Sequence, residues 1–179
     1  HDLVITDHDL DTTLTVVQPA DWFATGDAGA AEPRERRPHL VLTTGTTGVP
    51  RGIRHDWSRL LRGLGDSDAA TERWLLAYGL HQFGGLQVLL HVFGAGATLV
   101  APAPRRPREG LAAMRRHGVT HASATPTYWR FLLAEMRSDG GPVPALQQLT
   151  LGGEAVPPDL LDTLSATFPG ARISQIYAA

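Results

Sequence analysis

From Leu40 onward, short continuous apolar runs alternate with longer stretches of three-to-four-residue periodicity. Continuous runs predict buried strands at 40–43, 74–78, 97–101, 119–123, 149–151 and 172–177. Helical spacing predicts helices at 55–65 (Trp57, Leu60, Leu61, Leu64), 86–93, 107–117, 126–137 and 158–168. The boundaries carry punctuation. Gly94-Ala95-Gly96 and Gly118 end two helices, Pro169-Gly170 follows another, and Thr125-Pro126 supplies a cap and first residue. Upstream the pattern is weaker, with short β-like runs at 3–6 and 12–17. Residues 18–38 combine Pro19, Gly26, Asp27, Gly29, Pro33 and the Arg34-Glu35-Arg36-Arg37 cluster, and read as a solvated surface segment. No internal repeat is present.

Strands alternating with helices are the βαβ pattern. Strands that are apolar on both faces fit a sheet covered by helices on both sides. The predicted fold is α/β: a doubly wound, mostly parallel sheet flanked by helices. Residues 1–38 are expected to form a peripheral strand-and-loop segment, and residues 39–179 a repeated βα core. Ligands of such sheets bind beyond the carboxyl ends of the strands. The informative residues should therefore follow each strand directly.

Composition narrows the choice. The 179 residues are 42% hydrophobic and 19% charged, with a formal charge of −2, so neither nucleic acid nor an anionic membrane surface is an expected partner. No apolar run is long enough to span a membrane, and the start lacks a signal-peptide pattern, so a cytoplasmic location is expected. The absence of Cys excludes a disulfide framework, a thiolate metal site and a thiol nucleophile. No G-x-S-x-G elbow and no H-E-x-x-H helix appears. All 16 basic residues are Arg.

The segment from Thr43 to Gly52 holds four Thr, three Gly and Arg51. Glycines let backbone N–H groups converge on an anion, hydroxyls add donors, and a guanidinium can grip phosphate through two bonds. Composition alone supports a phosphate cradle and an empty Gly/Thr turn equally. No Lys-Ser/Thr follows, so the spacing departs from the P-loop.

Read in order, Thr43-Thr44-Gly45-Thr46-Thr47-Gly48-Val49-Pro50-Arg51-Gly52 resembles the signature phosphate loop of the adenylate-forming superfamily, which includes acyl-CoA synthetases, luciferases and nonribosomal peptide synthetase adenylation domains. The one departure is Arg51 where that loop usually has Lys. The resemblance implies that Thr43, Thr44, Gly45, Thr46, Thr47, Gly48 and Arg51 hold the phosphates of ATP. Four later segments agree. Tyr78-Gly79-Leu80-His81-Gln82-Phe83-Gly84-Gly85 resembles the region lining the acid pocket, with His81, Phe83 and Gly84 as substrate-side residues. Ser123 to Trp129 resembles the turn beside that pocket. There Trp129 is a lining candidate, although Trp129, Leu132, Leu133 and Met136 also read as a core stripe. Gly152-Gly153-Glu154 and Tyr177 resemble the adenine-binding segments. Arg51, Thr46 and His81 are the implied catalytic residues. Amino-acid-activating relatives carry an Asp near the acid pocket. None lies between Tyr78 and Leu90, which suggests an acid without an α-ammonium group.

The implied function is that of an acid–thiol ligase. A carboxylate attacks the α-phosphate of ATP, pyrophosphate leaves, and the acyl-adenylate passes to coenzyme A or to the phosphopantetheine of an acyl carrier protein. Mg²⁺ is the implied metal, but its Glu ligand in the family would follow Ala179, so no metal ligand is expected within these residues. The family's C-terminal domain with its catalytic Lys is also not among them. The expectation is an active longer enzyme of which these 179 residues alone are inactive. The alternative is a non-catalytic nucleotide- or acyl-adenylate-binding module, a degenerate relative.

Overall fold

A computed structural model describes residues 3–5, 15–17, 39–43, 51–62, 69–101 and 106–176. The chain divides into two compact units, 1–36 and 37–179. In the first, strands β1 (Leu3–Ile5) and β2 (Thr15–Val17) pair in parallel, with Leu3 opposite Thr15 and Ile5 opposite Val17.

The second unit opens with a finding that differs from expectation. Strand β3 (His39–Thr43) is followed by another strand, β4 (Arg51–His55), and the two pair antiparallel as a separate two-stranded sheet. The segment Arg51-Gly52-Ile53-Arg54-His55 has one large apolar residue, so its β character is invisible to a hydrophobic pattern. It is a strand because β3 offers it a ladder. The helix expected over 55–65 is α1 (Trp57–Leu60), whose Asp56 cap makes no side-chain bond. Residues 63–68 lie outside the described residues.

The remaining elements alternate: β5 (Arg73–Leu76), α2 (Phe83–Gly94), β6 (Thr98–Val100), α3 (Pro107–His117), β7 (His121–Ala124), α4 (Pro126–Asp139), β8 (Gln148–Gly152), α5 (Pro158–Thr167) and β9 (Arg172–Ile176). The five strands form one sheet in the order β6-β5-β7-β8-β9, every neighbouring pair parallel. Helix α2 packs on one face and α3, α4 and α5 on the other, as right-handed crossovers in this strand order require. Side-chain alternation along β5 agrees. Leu75 and Ala77 join the large core with Leu111, Met114, Trp129 and Leu132, whereas Trp74 and Leu76 pack with Val88 and Val92 of α2. Leu75, Leu149, Leu151, Trp129, Leu132 and Leu164 have no exposed surface. Each such side chain contributes roughly 1.5–3 kcal/mol of burial.

Local signals explain the helix limits. Thr125 accepts a hydrogen bond from Tyr128 N at 3.1 Å and starts α4 as its sequence predicts. Gly118 sits at φ 59°, and Val119 N donates back to Met114 O at 3.0 Å. That wrap consumes Val119 and Thr120, so β7 begins two residues later than its apolar run suggests.

At the amino-terminal edge of the sheet, Trp74 lies between two imidazoles. Its ring stacks on His121 with centroids 5.0 Å apart and meets the His91 edge at 4.8 Å. Its indole N–H donates to Glu72 Oε2 at 2.7 Å. Glu72, ahead of β5, also faces His91 Nε2 of α2 at 3.5 Å and His121 Nε2 of β7 at 3.7 Å, and Thr120 Oγ1 lies 2.8 Å from His121 Nδ1. Burial holds the His121 ring below its ordinary value; the Glu72 charge opposes this and His91 adds to it. The folded state therefore favours neutral His121. Above the unfolded value of about 6.5 both states are neutral; as pH falls through it, the unfolded chain takes up the proton first and stability declines. Thermal melts should show a lower midpoint at about pH 5.5 than at about pH 7.5, and His121→Gln should shrink that difference. An undiminished difference in the variant would refute this account.

Candidate active site at the carboxyl edge of the sheet

Because the five strands are parallel, the segments that leave β5, β7 and β8 all emerge at one edge. The turn after β5 is closed by its own side chains. Gly79 N donates to Gln82 Oε1 at 2.9 Å, and Gln82 N donates to Gly79 O at 2.9 Å. The first turn of α2 lies so close that a Cβ on Gly85 would collide with the Gly79 carbonyl. The glycine pair 84–85 thus allows α2 to begin at Phe83, three residues before its apolar stripe. His81 is exposed, with its ring folded over Gly79. Phe83 is half-buried and stacks on His55 of β4 at 4.9 Å. Together with Val41, Leu60 and Leu86 it joins the β3–β4 hairpin to α2.

Tyr78 leaves β5 and turns inward. It is 7% exposed, and its hydroxyl donates to the Gly152 carbonyl at the end of β8, at 3.3 Å. Burial pushes its phenol up to about 12; a hydrogen bond with Ser123 of β7 pulls the other way, and the Glu154 charge adds to the rise. The phenol is therefore a fixed donor at neutral pH.

Beyond β8 the chain reverses at Gly153, whose φ of 83° favours glycine. Gly152 is paired with Ile176 of β9. Glu154 then reaches back: its Oε2 accepts from Thr127 N at 3.0 Å and from Thr127 Oγ1 at 2.6 Å. A carboxylate on the first turn of α4 satisfies a free N–H and meets the positive end of the helix dipole.

The loop resembling the phosphate cradle is bounded by Thr43 and Arg51, which are cross-strand partners in the hairpin. Thr44, Gly45, Thr46, Thr47 and Gly48 lie outside the described residues, as does Tyr177. Of the other sequence candidates, His81, Phe83 and Gly84 flank the turn after β5, and Gly152, Gly153 and Glu154 form the turn after β8. Trp129 does not join them. Its ring is fully buried, its Nε1 donates to Thr150 O at 3.2 Å, and it meets Phe168 edge-on at 6.4 Å. The core stripe prevails over the lining reading because α4 turns that face onto the sheet. Tyr78, Ser123 and Thr127 were not singled out as site residues by the sequence. Tyr78 and Ser123 close predicted strands, which was the available signal, whereas Thr127 lies in the first turn of a predicted helix.

Among the described residues no group of three or more His, Asp or Glu side chains converges to hold a metal, so no metal ligand is assigned to them. No helix among the described residues is long and apolar enough to cross a membrane.

Comparison with known proteins fits this edge-loaded α/β sheet. The chain belongs to the AMP-binding enzyme family, which it matches over residues 5–179. It is 28% identical over 152 residues to 3-methylmercaptopropionyl-CoA ligase of Ruegeria pomeroyi, covering 79% of this chain and 28% of that protein. It is 29% identical over 150 residues to a plipastatin synthase of Bacillus subtilis, covering 78% of this chain and 6% of that one. The nonribosomal peptide synthetase FmoA3 shares the fold, with a TM-score of 0.81 at 23% identity over 99% of this chain and 21% of its own. The chain thus spans under a third of each of these proteins.

The Glu154–Thr127 contact has a measurable consequence. Glu154→Ala removes both acceptor bonds from the start of α4 and should lower stability by about 0.5–2 kcal/mol in urea unfolding, in the range of a lost helix cap. A midpoint identical to that of the parent would show the contact to be idle.

Proposed function

We propose that the whole protein activates a carboxylic acid with ATP. The acid's oxygen forms a bond to the α-phosphorus, the bond to the β-phosphate bridge breaks, and pyrophosphate departs. The acyl group then passes to a thiol, of coenzyme A or of a carrier-protein phosphopantetheine, with release of AMP. The observation that carries this reading is the family match across nearly the whole chain. A second support is the exposed Gly153 in the turn after β8. Among the described residues only Thr125 Cγ2 comes within 4 Å of where a Cβ on Gly153 would lie, at 3.7 Å, which would let a planar base approach the backbone there.

In this reading residues 39–179 are the nucleotide-binding core and residues 1–38 a peripheral segment. Thr43 to Gly48 and Arg51 hold the polyphosphate, and fixed donors and a cation there stabilise charge as pyrophosphate leaves. Gly152, Gly153, Glu154 and Tyr177 border adenine, with Glu154 contributing backbone while its carboxylate stays on Thr127. His81, Phe83 and Gly84 border the acid, and Arg51, Thr46 and His81 stand nearest the reacting atoms. Mg²⁺ would neutralise phosphate charge. We infer an acid without an α-ammonium group, because no Asp lies between Tyr78 and Leu90 to balance one. The reaction is cytoplasmic in this reading.

Carboxylate-dependent ATP–pyrophosphate exchange on the full-length protein tests the proposal, with fatty, aryl and amino acids as the panel. Exchange with a fatty or aryl acid and none with amino acids is expected. No exchange with ATP binding retained would instead identify a non-catalytic binding module. Arg51→Ala should slow exchange by about ten- to a hundredfold, the worth of a charge-assisted phosphate contact. Tyr177→Ala should raise the KM for ATP by about five- to a hundredfold and that for the acid much less, as expected for lost stacking on a base. The reverse ranking would move Tyr177 to the acid pocket.

A further inference from the structure

We propose that Tyr78 is a positioning residue that sets the height of the 152–154 turn against the nucleotide; this rests on the adenylation reading above. The tie runs across the sheet. Tyr78 follows β5, Gly152 ends β8, and β7 lies between them. Two strand spacings amount to roughly 9.5 Å, a gap that a long, rigid side chain can cross. The Tyr78 hydroxyl closes the gap by donating to the Gly152 carbonyl at 3.3 Å, and the Ser123 side chain of β7 is its second partner. The ring itself is held from below. A Cβ on Gly84 of α2 would sit 3.1 Å from it, so the ring rests against the helix that follows the acid-side turn.

Besides the pairing of Gly152 with Ile176 of β9, the turn after β8 therefore has two side-chain tethers, one on each side of the reversal at Gly153. Tyr78 holds the carbonyl before it, and Thr127 holds the Glu154 carboxylate after it. Releasing either leaves a glycine, at φ 83°, as a hinge in the segment proposed to border adenine. The phenol is not a proton donor in the chemistry. It is buried and already spent on Gly152 and Ser123. One side chain thus ties together the three strand ends around which both substrates would gather.

Tyr78→Phe keeps the ring against Gly84 and removes only the tie. In pyrophosphate exchange by the full-length protein, the KM for ATP should rise about three- to tenfold, the worth of one hydrogen bond. The kcat and the KM for the acid should each stay within about twofold. Amide hydrogen exchange over 153–155 should quicken relative to the rest of the sheet. An unchanged KM for ATP, or equal rises in both KM values, would overturn the proposal. If Tyr78→Phe does not fold, Ser123→Ala reads the same tie through its second partner: a raised KM for ATP supports the tie, and an unchanged one overturns it. If the wild-type protein exchanges pyrophosphate with no acid, the adenylation reading fails. The tether is then judged on amide exchange alone, where unchanged protection at 153–155 in Tyr78→Phe overturns it and faster exchange supports it.

Discussion

From β5 onward the structure depends on a parallel sheet whose central strands are buried. A parallel ladder needs a crossover between successive strands, and each crossover here is a helix that covers the sheet it connects. Leu75, Leu149 and Leu151 face α3, α4 and α5, while Trp74 and Leu76 face α2. Because every strand runs the same way, every strand ends at the same edge. Packing therefore decides more than stability. It gathers segments that are far apart in sequence, such as Tyr78 and Gly152, into one place.

That edge is organised by polar contacts between backbone and side chain. Gln82 closes the turn after β5, Tyr78 reaches the end of β8, and Glu154 caps the helix after β7. The first closes a single turn, and the other two fix the ends of elements that already share the large core. The division of labour is physical: apolar burial is non-directional and fixes layers, whereas hydrogen bonds are directional and fix turns. The same division marks the opposite edge, where Glu72 faces two imidazoles and an indole at the starts of the strands. There the polar cluster joins α2 to β7 and lends the fold a dependence on protonation.

The β3–β4 hairpin belongs to a different logic. It is antiparallel, separate from the main sheet, and attached through Val41, Leu60, Leu86 and the Phe83–His55 stack. Phe83 stands at the start of α2, one residue beyond the turn that carries His81. The joint therefore links the strand leaving the Gly/Thr segment to the turn after β5. A residue expected at the substrate is also a structural rivet.

The sequence by itself determined the alternation of strands and helices from residue 73 onward, the Thr125 and Gly118 boundaries, and the family. Each of these rests on local information: apolar periodicity, a capping side chain, a glycine, or an ordered motif such as Thr43 to Gly52. Only the tertiary structure decided that Arg51–His55 is a strand, since its ladder is supplied by β3 and its composition carries no such signal. Only the structure consigned Trp129 to the core, because a helical stripe does not say which face meets the sheet. The Tyr78–Gly152 tie and the Glu154–Thr127 cap were likewise out of reach of the sequence. They join residues 74 and 27 positions apart, and the polar partner of a side chain across a sheet is set by strand order, which no local pattern encodes.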